Sequence, residues 1–415
     1  MLLRSLQSLS ECSFCMYGAG IVAASAYTAI KALYGRAPLF FLVSDPEPNA
    51  AEESNKRNTL DGESNINGIP VKGLSEWKAQ LQRQNDVSDF ELKNRLPERY
   101  LVATPEMHHS AIVEALHALQ IEDSRILLLT NELENELMEA YYGGVLSHYT
   151  VPAMLSRFCV GADGYGVIGC ENNSNGTDRD GLLTSTVHVF QAKSHMDKPL
   201  LNHFTTPSYI RPIQVGADLT EQITAGLQDN SGENISAKNR NYCELTATYY
   251  AWKHSNASYK GICHYRRIFN IRDEQMQSLL QCEGEWDVIL PYPTVHYPDI
   301  SLQHTRYCTE KDWSAMLQAL DELEPGYLEA YEKGILGKEH SFYNFNMLIA
   351  KAAVFDDYCH FLFRILERTE ELTTPHGWER ADRFAGYLGE NLTTIYFLKN
   401  REKWKILYAG KVWLT

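Results

Sequence analysis

The stretch YKGICHYRRIF, residues 259–269, starts as an apolar strand and ends in His264, Tyr265, Arg266 and Arg267. In an open α/β sheet ligands bind outside the carboxyl ends of the strands, so side chains just after this apolar run project toward a crevice. Adjacent guanidiniums there suit phosphate oxygens, because each planar fork donates two parallel hydrogen bonds and stays charged at any physiological pH. Fixed positive charge at that point also stabilises a diphosphate leaving group as its charge develops. The alternative for Arg266 and Arg267 is a structural pair bonded to acidic neighbours or helix C-termini. His264 reads either as a satisfied core histidine or as the one metal-ligand candidate, and both readings stay open.

Two further segments carry polar chemistry. In GENISAKNRNYCELTATYYAWK, Asn234, Ser236 and Asn239 precede a helix and Glu244 falls within its first turns. Such side chains read nucleoside or sugar hydroxyls, and Tyr242 or Tyr249 offers a ring for a base. The competing reading is helix capping, with Glu244 buried against one of the arginines. In YGAGIVA, Gly18 and Gly20 stand where a dinucleotide fingerprint has its first two glycines, but the third position is Ala23. Asp45, at the end of the next strand, occupies the place where a ribose hydroxyl is read. Glycines needed only for a tight turn explain the same pattern. The single Asp-x-Asp, Asp178 and Asp180, falls in a glycine- and asparagine-rich stretch and is discounted as a metal motif.

These residues need elements to hold them. CSFCMYGAG, IVAASAYTAIKALYG and APLFFLVSD read as strand, helix and strand, followed by IPVKGLSEWKAQL, RYLVATPE and SAIVEALHAL in the same alternation. That pattern predicts a doubly wound parallel sheet. GADGYGVIGCENNSNGTDRDG, residues 161–181, has little to bury and reads as a linker between a domain at 1–160 and another at 182–415. The second half is also α/β, with strands in STVHVFQAK, SYIRPIQVGA, YKGICHYRR and WDVILPYP and a helix across NYCELTATYYAWKH. Helices dominate its tail, which closes on a strand in WKILYAG.

Composition narrows the classes of partner. With 38 basic and 53 acidic residues the formal charge is −15, which argues against general affinity for nucleic acid or anionic lipid and makes a local basic cluster stand out. No apolar run approaches the roughly 20 residues of a spanning helix. The opening segment reads as the start of a folded domain, not as a secretion signal. Nine scattered cysteines without a repeated metal pair suit reduced thiols in a cytoplasm.

PIQVGA, NISAKNRNYCELTATYYAWK, YKGICHYRRIF, WDVILPYP, YNFNMLIAK and RFAGYLGENLTTIY occur in the order seen in a family of bacterial glycosyltransferase domains from capsule and O-antigen clusters. That family includes galactofuranosyltransferases, and the resemblance covers residues from about 184 onward. The first third, with INGIPVKGLSEW and YLVATPEMHHSAI, resembles small Rossmann-like domains attached to bacterial sugar-modifying enzymes. The resemblance implies an N-terminal Rossmann-like domain followed by a GT-A-like domain. Its activity would move a sugar, galactofuranose as the family-based expectation, from a UDP-sugar to a hydroxyl of a lipid-linked capsule or O-antigen glycan. Such an acceptor places the protein in the cytoplasm, peripheral at the inner membrane.

Many GT-A enzymes put an Asp-x-Asp motif holding manganese or magnesium at the strand end where this sequence reads His-Tyr-Arg-Arg, so a divalent metal is an open expectation and no cofactor is certain. Donor binding is expected of Lys193, the residues from Asn234 to Glu244 named above, His264 to Arg267, Asn344, Asn346 and Arg383. An inverting transfer also needs a group to take the acceptor's proton. The candidates are Glu339, His340, Asp382 and Glu390, the last also readable as facing only Arg383 or solvent. Asn391 follows Glu390 where the family pattern leads us to expect arginine. The alternative function is a catalytically inactive nucleotide-sugar-binding or scaffold protein of polysaccharide assembly. An NAD-linked oxidoreductase lacks support, since no tyrosine–lysine pair follows the glycine turn.

Overall fold

The computed structural model describes residues 6–45, 65–66, 68–85, 96–145, 156–158, 179–200, 205–281, 284–296, 299–301 and 303–414. The chain divides into two compact units, one of Met1–Ser147 with Val295–Pro298 and one of His148–Thr294 with Asp299–Thr415. The division falls earlier than residue 160. Most of the expected linker, Asp178 included, lies outside the described residues, and Asp180 falls in a helix, Arg179–Thr186, without a described side chain.

The first unit is built on β1 (Phe14–Tyr17), β2 (Phe41–Val43), β3 (Asn65–Ile66), β4 (Ile69–Gly73), β5 (Arg99–Val102) and β6 (Ile126–Leu128). Their order is β3-β4-β2-β1-β5-β6, parallel throughout except for the β3–β4 pair. Helix α1 (Ile21–Tyr34) follows β1 and ends on Gly35 in the left-handed conformation, α2 (Leu74–Asn85) follows β4, and α3 (His109–His117) follows β5. This is the doubly wound arrangement that the strand and helix alternation predicts. One layer of its core joins Tyr17, Leu42, Trp77, Tyr100 and Leu116. Gly18, at φ 120°, passes so close to β5 that a Cβ would meet the Ala103 carbonyl at 2.5 Å, so the tight turn itself requires glycine. Asp45 accepts the backbone N–H and the hydroxyl of Ser75, at 2.9 and 2.6 Å, at the start of α2.

A single ten-stranded sheet forms the centre of the second unit. Its parallel part runs through β10 (Leu227–Gln228), β9 (Ile210–Gln214), β8 (Val187–Lys193) and β11 (Tyr259–His264). The other edge of β11 is divided. Its first residues pair antiparallel with Leu348–Lys351, and its last residue pairs with β12 (Arg267–Phe269). Beyond Leu348–Lys351 lie Val288–Pro291 and Ile406–Ala409, while β12 pairs with Lys411–Trp413, a strand absent from the reading of the sequence. Strand β7 (Ser156–Phe158) completes that edge. The α/β class is as expected, with helices packed on a sheet whose buried face joins Val189, Tyr259, Ile268, Trp286, Ile349 and Val412. No helix among the described residues is long and apolar enough to cross a membrane.

One helix departs from its periodicity in a way that matters. NYCELTATYYAWKH reads as continuous, but it breaks into Asn239–Tyr242 and Leu245–His254 around Cys243, at φ 52° and ψ −126°. Asn239 stabilises the break by donating to the Cys243 carbonyl at 2.7 Å and to Thr246 at 3.1 Å.

Gly261 is where β11 and Leu348–Lys351 come closest, and an added Cβ would meet the Leu348 carbonyl at 2.5 Å. Gly261→Ala should therefore lower the stability of the second unit by about 1–3 kcal/mol. Gly226→Ala, with open space at its Cβ, should change it by less than about 0.5 kcal/mol. Thermal unfolding of the two variants checks this, and equal melting temperatures would show that the strands part without cost.

Candidate active site

Strand β11 ends at His264, Tyr265 and Arg266 make the turn, and Arg267 opens β12 directly opposite His264. Residues paired across an antiparallel ladder put their side chains on the same face. His264 and Arg267 consequently line one cleft of about 280 Å³ at the carboxyl end of β11. Arg266 does not line it: its guanidinium lies 5.8 Å from the Tyr265 ring, and its carbonyl accepts from Leu414.

Arg267 is held between aromatic rings, 4.4 Å from the Phe345 centroid and 4.2 Å from that of Trp413. Such cation–π contacts reach about 2 kcal/mol when desolvated. Its buried Nε finds no hydrogen-bond partner among the described residues. Burial lowers its affinity for its proton, while Glu390 and Glu244 nearby favour the charge.

The helix break at Cys243 brings Glu244 to the same cleft, where Asn346 Nδ2 donates to Glu244 Oε1 at 2.6 Å. Phe345 donates its N–H to Glu390 Oε1 at 3.0 Å, and its carbonyl accepts from His264 Nε2 at 2.5 Å. A bond to a carbonyl requires the proton on Nε2, which leaves Nδ1 as an acceptor. Burial keeps the imidazole neutral by lowering its pKa, Arg267 adds to this, and Glu244 opposes it.

Glu390 belongs to the helix Phe384–Lys399, with Arg383 at its N-cap in left-handed backbone. Glycine inside a helix costs about 0.5–1 kcal/mol relative to alanine, so Gly386 and Gly389 need a reason. Close packing supplies one. A Cβ on Gly389 would meet Leu245 Cδ1 at 2.8 Å, and one on Gly386 would meet Cys243 Sγ at 3.3 Å. Arg383 donates Nε to Cys243 Sγ at 3.2 Å, and the loop before it is anchored by Arg380, whose Nη2 donates to Asp312 at 3.0 Å. Tyr387 stacks on the half-exposed Tyr307, centroids 4.6 Å apart, at the same cleft.

Among the described residues, five non-glycines adopt positive φ: Gln120, Cys243, Phe345, Asn346 and Arg383. All but Gln120 line this cleft or hold a residue that does. Strained backbone of this kind persists where the surrounding structure over-determines it, typically at functional sites.

Charge in the cleft is unequal. Burial raises the Glu390 carboxyl to about 8, the Glu244 carboxylate adds to the shift, and Phe345 N–H with Arg267 and Arg383 moderates it. The Cys243 thiol is pushed up to about 12, first by burial and then by Glu244. With Glu390 protonated, the two guanidiniums of the cleft outnumber its remaining acid in a chain of −15.

Residues 195–401, which include every residue lining the cleft, match a family described as a domain of unknown function, DUF4422. No curated protein matches the chain. Among solved structures it is similar to one described as the WbbM bifunctional glycosyltransferase in its apo form, at 24% identity with a TM-score of 0.48. That similarity covers 55% of this chain and 45% of the other, so the chain spans less than half of that protein.

Of the expected site residues, Glu244, His264, Arg267, Asn344, Arg383 and Glu390 meet at the cleft, with Asn346 directly behind Glu244. The others lie outside its lining. Lys193 accepts from Val215 through its carbonyl at the end of β8. Asn234 Oδ1 and Ser236 Oγ organise the loop after β9, with Ser236 bonded to the buried Asp229. Tyr242 and Tyr249 donate to Glu370 and Glu233. Asp382 is bound by Arg380. Glu339 accepts the N–H groups of His340 and Ser341, both at 2.9 Å, and faces Arg401 at another cavity. Cys243, Tyr307, Phe345, Gly386, Tyr387 and Trp413 are the residues of this region that reading the sequence passed over.

A metal was an open expectation at His264. Among the described residues no three His, Cys, Asp or Glu side chains are grouped to hold an ion. His264 commits Nε2 to a carbonyl, and Arg267 is paired opposite it. That leaves one imidazole nitrogen, Nδ1, with no group of three ligand side chains around it, too small a donor set for a protein-held divalent cation.

Glu390 makes stability depend on pH. The native carboxyl keeps its proton up to about 8, whereas the unfolded one releases it near the ordinary value of about 4.3. Between those values the native state binds more protons, so stability is lost as pH rises, by at most about 1.4 kcal/mol per pH unit. Glu390→Gln removes this loss. Melting curves from pH 5 to pH 8.5 should show the difference in Tm moving steadily in the variant's favour, and a constant difference would mean that the carboxyl titrates normally.

Proposed function

We propose that the second unit transfers a sugar from a nucleotide diphosphate donor to a hydroxyl by inverting displacement. The observation that carries this reading is the cleft at the end of β11, where Arg267, stacked between two rings with an unpaired Nε, faces Glu244 and Glu390. Arg267 and Arg383 would hold the diphosphate. The acceptor oxygen attacks the anomeric carbon while its bond to the diphosphate breaks. The electron pair leaves on the diphosphate, and the guanidiniums meet the charge as it develops. The acceptor's proton passes to Glu390 in its carboxylate form.

The donor we favour is a UDP-sugar, UDP-galactofuranose first, and the acceptor a lipid-linked capsule or O-antigen glycan reached at the inner face of the membrane. These choices rest on the order of motifs from PIQVGA to RFAGYLGENLTTIY. Tyr307 on Tyr387 offers an aromatic face beside the charged groups, suited to the apolar face of a sugar ring.

Purified protein with UDP-galactofuranose and such an acceptor should release UDP and extend the glycan. Arg267→Ala should lower kcat/KM for the donor by about 10²-fold or more, and Arg266→Ala by at least tenfold less. Since Glu390 holds its proton up to about 8, kcat/KM should climb with pH and level off near that value. The reading is wrong if no member of a UDP-sugar panel yields UDP, with or without acceptor, while Arg267→Ala leaves UDP binding unchanged.

A further inference from the structure

We infer that Phe345–Asn346 is a positioning element, whose left-handed backbone holds Glu244, His264 and Glu390 as one hydrogen-bonded unit around Arg267. The inference rests on the transfer reading for its catalytic meaning, but its geometry stands apart from it. Phe345 has φ 72° and Asn346 φ 49°. Left-handed backbone at a bulky residue costs on the order of 1–3 kcal/mol, and glycine would remove that cost.

The conformation turns the Phe345 N–H and C=O and the Asn346 amide nitrogen toward residues of the cleft. Phe345 N–H reaches Glu390 at 3.0 Å, and Phe345 C=O meets His264 at 2.5 Å. The next side chain, Asn346, is buried; its Nδ2 holds Glu244 at 2.6 Å and the Gly386 carbonyl at 3.1 Å, and its Oδ1 accepts from Thr393 at 3.3 Å. The Phe345 ring itself supports the Arg267 guanidinium. Two neighbouring residues thus touch both acids, the imidazole and one of the two cations.

Their arrangement controls where protons sit. Burial first, and the neighbouring Glu244 second, keep the proton on Glu390, and the Asn346 amide fixes where Glu244 lies. Glu390 also faces Arg267 from β12 and Arg383 and Tyr387 on its own helix. Cys243 and Cys308 approach it from the helix break and from the segment before Glu310–Leu323, and His264 shares its Phe345 contact. Asn346 does not touch the Glu390 carboxyl; it reaches it through Glu244, through the Phe345 peptide and through Gly386 and Thr393 on the Glu390 helix.

Asn346→Gly keeps the left-handed backbone and removes the amide. Isotope-edited infrared titration follows the protonated carboxyl band that disappears in Glu390→Gln. In wild type its midpoint should lie at about 8. In Asn346→Gly it should fall by about one unit or more, because Glu244 is no longer held beside Glu390 and its share of the upward shift is lost. The acid limb of kcat/KM should move with it, kcat should drop about tenfold or more, and UDP affinity should stay within about threefold. Should the glycine variant not fold, Asn346→Ser, too short to reach Glu244, carries the same expectation. A folded variant whose midpoint stays within about 0.3 unit overturns the inference, since a merely structural asparagine would leave the titration alone. If wild type transfers no sugar but the midpoint still falls, the transfer reading fails and the positioning role stands.

Discussion

The register of a two-residue turn decides what the second unit presents at its cleft. Because His264 and Arg267 face each other across it, the strand end delivers one imidazole and one guanidinium to the same side and leaves Tyr265 and Arg266 in the turn. A shift of one residue would reverse every side chain on β12. Strand Lys411–Trp413 extends the same ladder, pairing Trp413 with Arg267, so the ring that stacks on the guanidinium is placed by the same register. The cleft's cation is therefore set by backbone hydrogen bonds and needs no carboxylate at bonding distance to keep it there.

Charge balance follows from that placement. A guanidinium with a buried Nε is stable only if opposite charge lies close by, and Glu244 and Glu390 both favour it. Two carboxylates in one small cleft cannot both be charged cheaply, so burial and Glu244 together keep the proton on Glu390. An arriving anion then meets excess positive charge without displacing a preformed tight ion pair. By contrast, Arg380 is spent on Asp312 and Asp382, which makes it an anchor for the loop before Arg383.

Much of the architecture was legible. Alternating strand and helix patterns with short loops foretold both α/β units, and Gly35 marked the end of the first helix as a C-terminal glycine should. The strand end at His264 is where polar side chains collect. What the sequence did not display was backbone conformation. Nothing in Tyr265–Arg266 is a turn former, so the strand read as continuing and both arginines counted alike. Cys243, Phe345 and Arg383 are not residue types that announce positive φ, and only Asn346 belongs to a type enriched there. Gly386 and Gly389 were the available signal: two glycines one turn apart in an apolar helix mark close packing, and behind them lie Cys243 and Leu245.

The remaining chemical question is which group supplies positive charge in the cleft. At this strand end a divalent cation would have to compete with a guanidinium already fixed between two rings, and the imidazole has only Nδ1 to offer it. Both carboxylates are also engaged, Glu244 by an amide and Glu390 by a backbone N–H and its own proton. Guanidiniums arrive charged, in fixed geometry, with donors suited to phosphate. The arrangement of His264, Arg267, Phe345 and Trp413 thus favours protein-borne positive charge in the cleft over a protein-held cation.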